Sequence, residues 1–227
     1  MSMIKTASMI VLAFILVGCE STYISKEEAF PKMYNEQPAS ILVVPAINNT
    51  TAPESADYLT TTLAEPLSYH GYYVAPLELV QSIFQQEGIL DGAQLENVDP
   101  SVFGEQFGVD SVLFVSINKW QTNYYVVSGN VEVALKYELY STKTGEKLWF
   151  YEDSLIVDTS SNDNSSGGVA GLLVNVIATA VSTATTDYVP IAKRVNYMAL
   201  SSAPLGQYHK LHNTDQTQTS VNRFKAK

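Results

Sequence analysis

Few residues in this chain have the type and spacing to do chemistry. The single Cys, Cys19, ends the run Leu16-Val17-Gly18-Cys19. One thiol excludes an intramolecular disulfide framework, a Cys-rich zinc site and a CxxC redox pair. The three His are His70, His209 and His212. His209 and His212 stand three apart, a spacing that could bind a metal on a helix, but no third ligand lies nearby. His70 precedes Gly71 and reads as a helix-end residue whose ring meets the last carbonyls. Asp153, Asp158 and Asp163 recur every five residues. That is not EF-hand spacing, and the glutamate that ends such a loop is missing. There is no GxSxG, GxGxxG or Walker A pattern. Carboxylates such as Asp110, Glu132 and Asp153 could serve acid–base catalysis, yet nothing in the sequence pairs two of them in one pocket. The reading is therefore non-enzymatic, with no catalytic residue, no metal site and no cofactor.

Cys19 takes its meaning from what precedes it. Residues 1–18 carry Lys5 as a lone positive charge and then the apolar run MIVLAFILV over 9–17. That run is too short to span a bilayer, which needs about 20 residues. Leu16, Val17 and Gly18 before Cys19 resemble a bacterial lipobox, the signal cleavage motif of lipoproteins. Small residues admit the peptidase, and only a thiol can become the lipid thioether. The expectation is a signal peptide over 1–18, cleavage before Cys19, and lipidation of Cys19 with palmitate-type chains. Several acyl chains give stable anchoring at about 0.8 kcal/mol per buried methylene. Glu20, where an Asp would favour inner-membrane retention, points to the outer membrane with the protein facing the periplasm.

The elements that follow must position whatever the anchored body does. The 227 residues are 46% apolar and 16% charged, enough for a globular core. The net charge of −10 argues against nucleic-acid binding, which needs clustered Lys and Arg. Residues 19–37 read as a short polar tether with Lys26, Glu27 and Glu28. Residues 38–158 read as an α/β domain. Ile41-Leu42-Val43-Val44 and Val112-Leu113-Phe114-Val115 are aliphatic runs of buried strands. Thr51-Ala52-Pro53-Glu54 has capping-box spacing before a helix carrying Leu59, Leu63 and Leu67, which Pro66 must kink or end. A second helix opens at Pro76, with Leu79, Val80, Ile83 and Phe84 on one face and Gly88 past its end. Asp99-Pro100 caps a third, closed by Gly108. Val131, Val133, Leu135, Tyr137 and Leu139 then alternate with polar residues, a half-buried antiparallel strand. Turns at 128–130 and 142–145 complete a meander through Leu148-Trp149-Phe150-Tyr151 and Leu155-Ile156-Val157. The fold class is α/β: a mixed sheet covered by helices, with an antiparallel meander and a C-terminal helix.

Residues 159–168 read as a flexible linker by composition. A C-terminal helix is expected over 169–200. Residues 164–186 carry no charge, and Asn175, Thr179, Ser182 and Thr186 make a polar stripe on it. Packing on the sheet, an oligomer interface and membrane insertion all remain open for this stretch. Residues 201–227 read as a polar tail, much of it disordered. The 14 Tyr either fill a strand-rich core or enlarge an interface.

Several short motifs share an order. They are the lipobox, Val44-Pro45-Ala46-Ile47-Asn48-Asn49, Gly71-Tyr72-Tyr73-Val74, Phe107-Gly108-Val109-Asp110 and Thr144-Gly145-Glu146-Lys147-Leu148-Trp149. Ala203-Pro204-Leu205-Gly206-Gln207-Tyr208-His209 is similar to a terminal Leu-Pro-x-Gly-Pro-Tyr-His signature, with Gln207 in place of Pro and Leu205 after Pro204. Together they resemble a family of predicted bacterial lipoproteins of unknown function. That family is related to the curli-secretion channel lipoprotein and to the amino-terminal domain of the Tol-system propeller protein. The resemblance implies an α/β sandwich-like domain, a periplasmic location and a role in envelope assembly or transport. It brings no catalytic residues.

The function read from these observations is an outer-membrane lipoprotein. It acts as a non-enzymatic assembly or interaction component of a cell-envelope secretion, transport or cell-wall complex. Its partners are the membrane, through lipid on Cys19, and further copies of itself or other envelope lipoproteins. The alternatives are a subunit of an oligomeric secretion pore and a carboxylate-based envelope hydrolase.

Overall fold

The computed structural model describes residues 24–124, 129–158 and 188–220. The signal segment, Cys19, the linker and the uncharged stretch over 164–186 lie outside them. The described chain forms one six-stranded mixed sheet in the order β3-β1-β4-β5-β6, with β2 also pairing β4. The strands are β1 (Ser40–Val43), β2 (Ile47–Asn48), β3 (Tyr73–Val74), β4 (Ser111–Tyr124), β5 (Gly129–Ser141) and β6 (Lys147–Asp158). The first three run parallel to their neighbours, and β4, β5 and β6 form the antiparallel meander.

The helices are α1 (Lys26–Ala29), α2 (Pro31–Glu36), α3 (Ser55–Thr61), α4 (Ala64–Tyr69), α5 (Leu77–Gln86), α6 (Pro100–Phe107) and α7 (Val189–Leu200). Strand β1 is buried on both faces, which explains its unbroken aliphatic run. Ile41 and Val43 enter a large core with Leu59 of α3, Leu67 of α4 and Val195 of α7. Leu42 and Val44 enter a smaller core with Val80 and Phe84 of α5 and Phe103 of α6. Pro45 breaks the run, and β2 resumes pairing with the same neighbour, β4.

The meander is covered on one face only along most of its length. Val131, Val133, Leu135, Tyr137 and Leu139 are buried, as their alternation requires. The register of β4 against β5 shifts between Ile117 and Lys119. The extra residue turns Trp120 into the core and leaves Lys119 to pair with Glu132 at 2.8 Å.

Local signals met mixed outcomes. Asp99 caps α6 by accepting from Ser101 N at 2.9 Å, and Gly108 ends it at φ +67°. The capping box expected at Thr51 does not form. Helix α3 begins at Ser55, and the loop is closed instead by Asn48, which accepts from Thr50 N at 3.0 Å. Pro66 lies within the first turn of α4, so the break falls three to four residues before it, at Thr62 and Leu63. Helix α5 buries Val80 and Phe84, while Leu79 and Ile83 stay exposed.

Both chain ends of the described structure differ from the expectation of a free tether and a free tail. Phe30 and Met33, from the stretch read as tether, are buried in the large core. The segment 201–220 returns across the N-terminal helices. Ser25 bridges Thr219, Lys26 N donates to Gln218 O at 2.8 Å, and Ser220 N donates to Ile24 O at 2.8 Å. Beneath this crossing Lys26 and Asp215 form a buried ion pair at 3.3 Å. Composition suggested solvent because both segments are polar. Here, though, Lys26 Nζ, Asp215 Oδ2 and the crossing backbone groups are partnered with each other, which offsets much of the cost of burying them, while Asp215 Oδ1, Ser220 Oγ and Tyr34 OH are buried without a partner among the described residues.

Candidate functional site

A cavity of about 450 Å³ opens on the wet face of the meander. That size falls within the range of about 300–1,000 Å³ usual for small-ligand sites. Its floor comes from two paired strands. Phe114 and Ser116 of β4 lie directly across from Glu138 and Lys136 of β5, and Tyr140 extends the same face. The alternation that buries Leu135, Tyr137 and Leu139 necessarily turns Lys136, Glu138 and Tyr140 outward. The wall is the loop that carries Asn97, Val98 and Pro100 into α6. Asp91 caps the 3-10 turn at Gly92–Leu95 ahead of it, accepting from Ala93 N at 2.7 Å. Gly92 packs so tightly that a Cβ there would lie 2.1 Å from the Pro45 carbonyl oxygen.

Glu138 is the electrostatic centre of the floor. Lys136 pairs with it at 2.8 Å, and Lys147 pairs with its other oxygen. Burial opposes its ionisation, but the hydrogen bonds from Lys136 and Lys147 outweigh that and hold its carboxyl below the usual range. Lys147 also stands 5.5 Å from the centre of the Tyr140 ring. Phe114 and Tyr140 meet edge to face at 5.9 Å. Ser116 and Asn97 have no partner for their side chains among the described residues.

The carboxylates singled out from sequence are not brought together. Asp110 sits at the start of β4 and accepts from Ala39 N, Ser40 N and Ser40 Oγ at 3.0–3.2 Å, with Lys143 on its other oxygen at 2.8 Å. It splices β1 to β4. Glu132 is paired with Lys119 on the wet face, and Asp153, opposite Leu135, belongs to the other face. His70 Nδ1 donates to Pro66 O at 3.0 Å, the helix-end role its position implied. His209 and His212 do not lie on a helix. His209 Nδ1 accepts from Leu211 N at 3.1 Å, and His212 Nδ1 donates to Leu205 O at 2.8 Å. Among the described residues no group of three or more His, Cys, Asp or Glu converges as a metal site, and no helix is long and apolar enough to cross a membrane. Leu16, Val17, Gly18 and Cys19 lie outside the described residues.

The floor of the cavity was half legible in sequence. Period-two alternation places Lys136 and Glu138 on the wet face. No local signal brings Asn97, some forty residues earlier, over the same strands.

The chain is similar to known proteins along most of its length. The family model "Putative lipoprotein GNA1162-like" matches residues 29–207. The Neisseria meningitidis serogroup B protein named "Putative lipoprotein NMB1124/NMB1162" is 31% identical over 166 residues, 73% of this chain and 76% of the relative. The crystal structure of lipoprotein GNA1162 from Neisseria meningitidis is 32% identical, with a TM-score of 0.51 over 63% of this chain and 96% of that one. A PelC dodecamer from Paraburkholderia phytofirmans is more distant, at 15% identity and a TM-score of 0.44 over 73% of this chain and 86% of that one. The matched span holds all six strands and every helix from α2 to α7, so the chain belongs to the GNA1162-like lipoprotein family.

Proposed function

We propose that the protein is an outer-membrane lipoprotein, anchored through lipid on Cys19 and facing the periplasm. There it serves as a non-enzymatic interaction component of an envelope complex. The observation that carries this reading is the match of residues 29–207 to a lipoprotein family, with Leu16-Val17-Gly18-Cys19 just upstream of it. The chain enters the fold at Ile24 and is held there by the crossing with 216–220. Four residues lie between Cys19 and Ile24, five steps of the chain, so Ile24 sits within about 18 Å of the lipidated residue at roughly 3.6 Å per step. A body held that close reaches only partners in or against the same membrane. The assignment as non-enzymatic is supported by the internal use of the candidate carboxylates. Asp110 and Glu132 each hold a structural ion pair, and none of the three converges with another.

Two measurements test this. Labelling of cells with a palmitate analogue should mark the wild-type chain and not Cys19→Ser, which should leave the outer-membrane fraction. A labelled, membrane-bound Cys19→Ser chain would refute the anchor. Cross-linking in cells should recover the protein with itself or another envelope protein. A clean monomer with no cross-linked product would refute the interaction role.

A further inference from the structure

The cavity on the meander has a chemistry that the anchoring role does not use. Its charges are already balanced. Glu138 neutralises Lys136 and Lys147 in part, and Glu96 at the rim supplies a second carboxylate. Two lysines therefore stand against two carboxylates, Glu96 without an ion-pair partner among the described residues, and the site carries no net charge to select a phosphate, a carboxylate, an amine or a metal. What remains is hydrogen-bonding capacity. The Ser116 hydroxyl and the Asn97 amide can both donate and accept, and neither has a partner among the described residues. Lys136 keeps donor hydrogens beyond the one facing Glu138, and Glu138 keeps lone pairs beyond those facing the lysines. Around these groups stand Ile47, Val98 and Pro100, apolar surfaces without polar tips.

We infer that this cavity binds a saccharide unit, a neutral polyhydroxylated ring of one or two sugars. A sugar presents hydroxyls that each donate and accept, and C–H faces that pack on apolar walls. It thus matches a charge-balanced floor of donors and acceptors beside Ile47, Val98 and Pro100. Glu138, held ionised by its two lysines, is the strongest acceptor for a sugar hydroxyl. Lys136 and Asn97 donate from opposite sides, the first from the floor and the second from the wall. The volume of about 450 Å³ accommodates one or two such rings. This inference goes beyond the anchoring role and does not depend on lipidation of Cys19.

The test is saturation-transfer difference NMR on the full chain in detergent micelles, with micelles alone as the blank. The probes are N,N′-diacetylchitobiose, cellobiose, methyl phosphate (whose methyl protons report on the phosphate) and glycylglycine at millimolar concentration. Saturation transfer to either disaccharide is expected, and none to methyl phosphate or glycylglycine. Glu138→Gln should weaken saccharide binding about tenfold, the loss of one charge-assisted hydrogen bond. Asn97→Ala and Ser116→Ala, which remove side chains with no structural partner, should weaken it severalfold while leaving the melting temperature unchanged. Transfer to neither disaccharide would overturn the inference. So would binding that Asn97→Ala and Ser116→Ala leave intact, or binding of methyl phosphate or glycylglycine in preference to sugar.

Discussion

Replacing Lys26 by Met isolates the contact that closes the two ends of the chain on each other. The Lys26 side chain is 6% exposed and that of Asp215 is 0% exposed. Lys26 Nζ donates to Asp215 Oδ2 at 3.3 Å and to the Ala203 carbonyl at 2.9 Å. Asp215 Oδ2 also accepts from Leu205 N at 3.1 Å. Burial, and next the Asp215 carboxylate, push the neighbouring Tyr34 phenol well above its ordinary range, so it stays neutral and adds no second negative charge beside Asp215. Met fills most of the volume of Lys but leaves Asp215 charged, buried and without its cation. Breaking a buried pair from one side costs about 3–5 kcal/mol. For a chain of this size that lowers Tm by about 6–20 °C, at about 2–4 °C per kcal/mol. The assay is thermal and urea unfolding followed by near-ultraviolet circular dichroism. The double variant Lys26→Met/Asp215→Leu removes both charges and should recover more than half of the loss, because no charge is left stranded. Trypsin should cut after Lys210 faster in Lys26→Met than in wild type, since the pair holds that segment down. The reasoning fails if Lys26→Met unfolds within about 0.5 kcal/mol of wild type, the range of ordinary surface changes. It also fails if the double variant is no better than the single one.

Helix α7 is docked by a buried amide: Asn196 Nδ2 donates to Leu59 O at 2.9 Å and to Thr62 Oγ1 at 2.8 Å, and its Oδ1 accepts from Tyr137 OH at 2.6 Å. Asn196→Ala strands those groups and should cost about 2–4 kcal/mol in urea unfolding, against about 1–2 kcal/mol for Tyr137→Phe, which strands fewer. Gly71 has φ +84°, and a Cβ there would stand 2.3 Å from His209 N, so Gly71→Ala should detach 206–209 and speed trypsin cleavage after Lys210. Burial pushes the His70 pKa down, opposed by the hydrogen bond to Pro66 and aided by Lys26 and His209, with Asp215 acting the other way. Below the unfolded value of about 6.5 the unfolded chain takes up a proton that the folded chain refuses, so stability is full above that pH and falls as pH drops toward the folded value. Urea midpoints between pH 7 and pH 5 should show that fall, and His70→Gln should flatten it.

What the sequence determined was everything that depends on near neighbours. The α/β class, the buried β1 and β4, the half-wet β5 and the turn over Thr142–Gly145 follow from runs and alternation. Those patterns report burial of single strands and need no knowledge of what covers them. The cap at Asp99, the stop at Gly108 and the helix-end role of His70 are local backbone chemistry of the same kind. The motif order from Val44-Pro45 to Thr144-Gly145 was enough to indicate the family. What only the tertiary structure decided were pairings across long stretches of chain. Lys26 beside Glu27 and Glu28 looks solvated, and Asp215 sits in a polar tail, yet 189 positions of separation close into one buried pair. A charge is tolerated inside a protein when its partner is there, and a partner that far away leaves no trace in local composition. Asn196 on an apolar helix face is likewise readable only once Leu59, Thr62 and Tyr137 surround it. The cavity divides in the same way. Alternation turns Lys136 and Glu138 outward, but the fold alone sets Asn97 and Pro100 beside them and makes a wet strand face into a walled, half-open site.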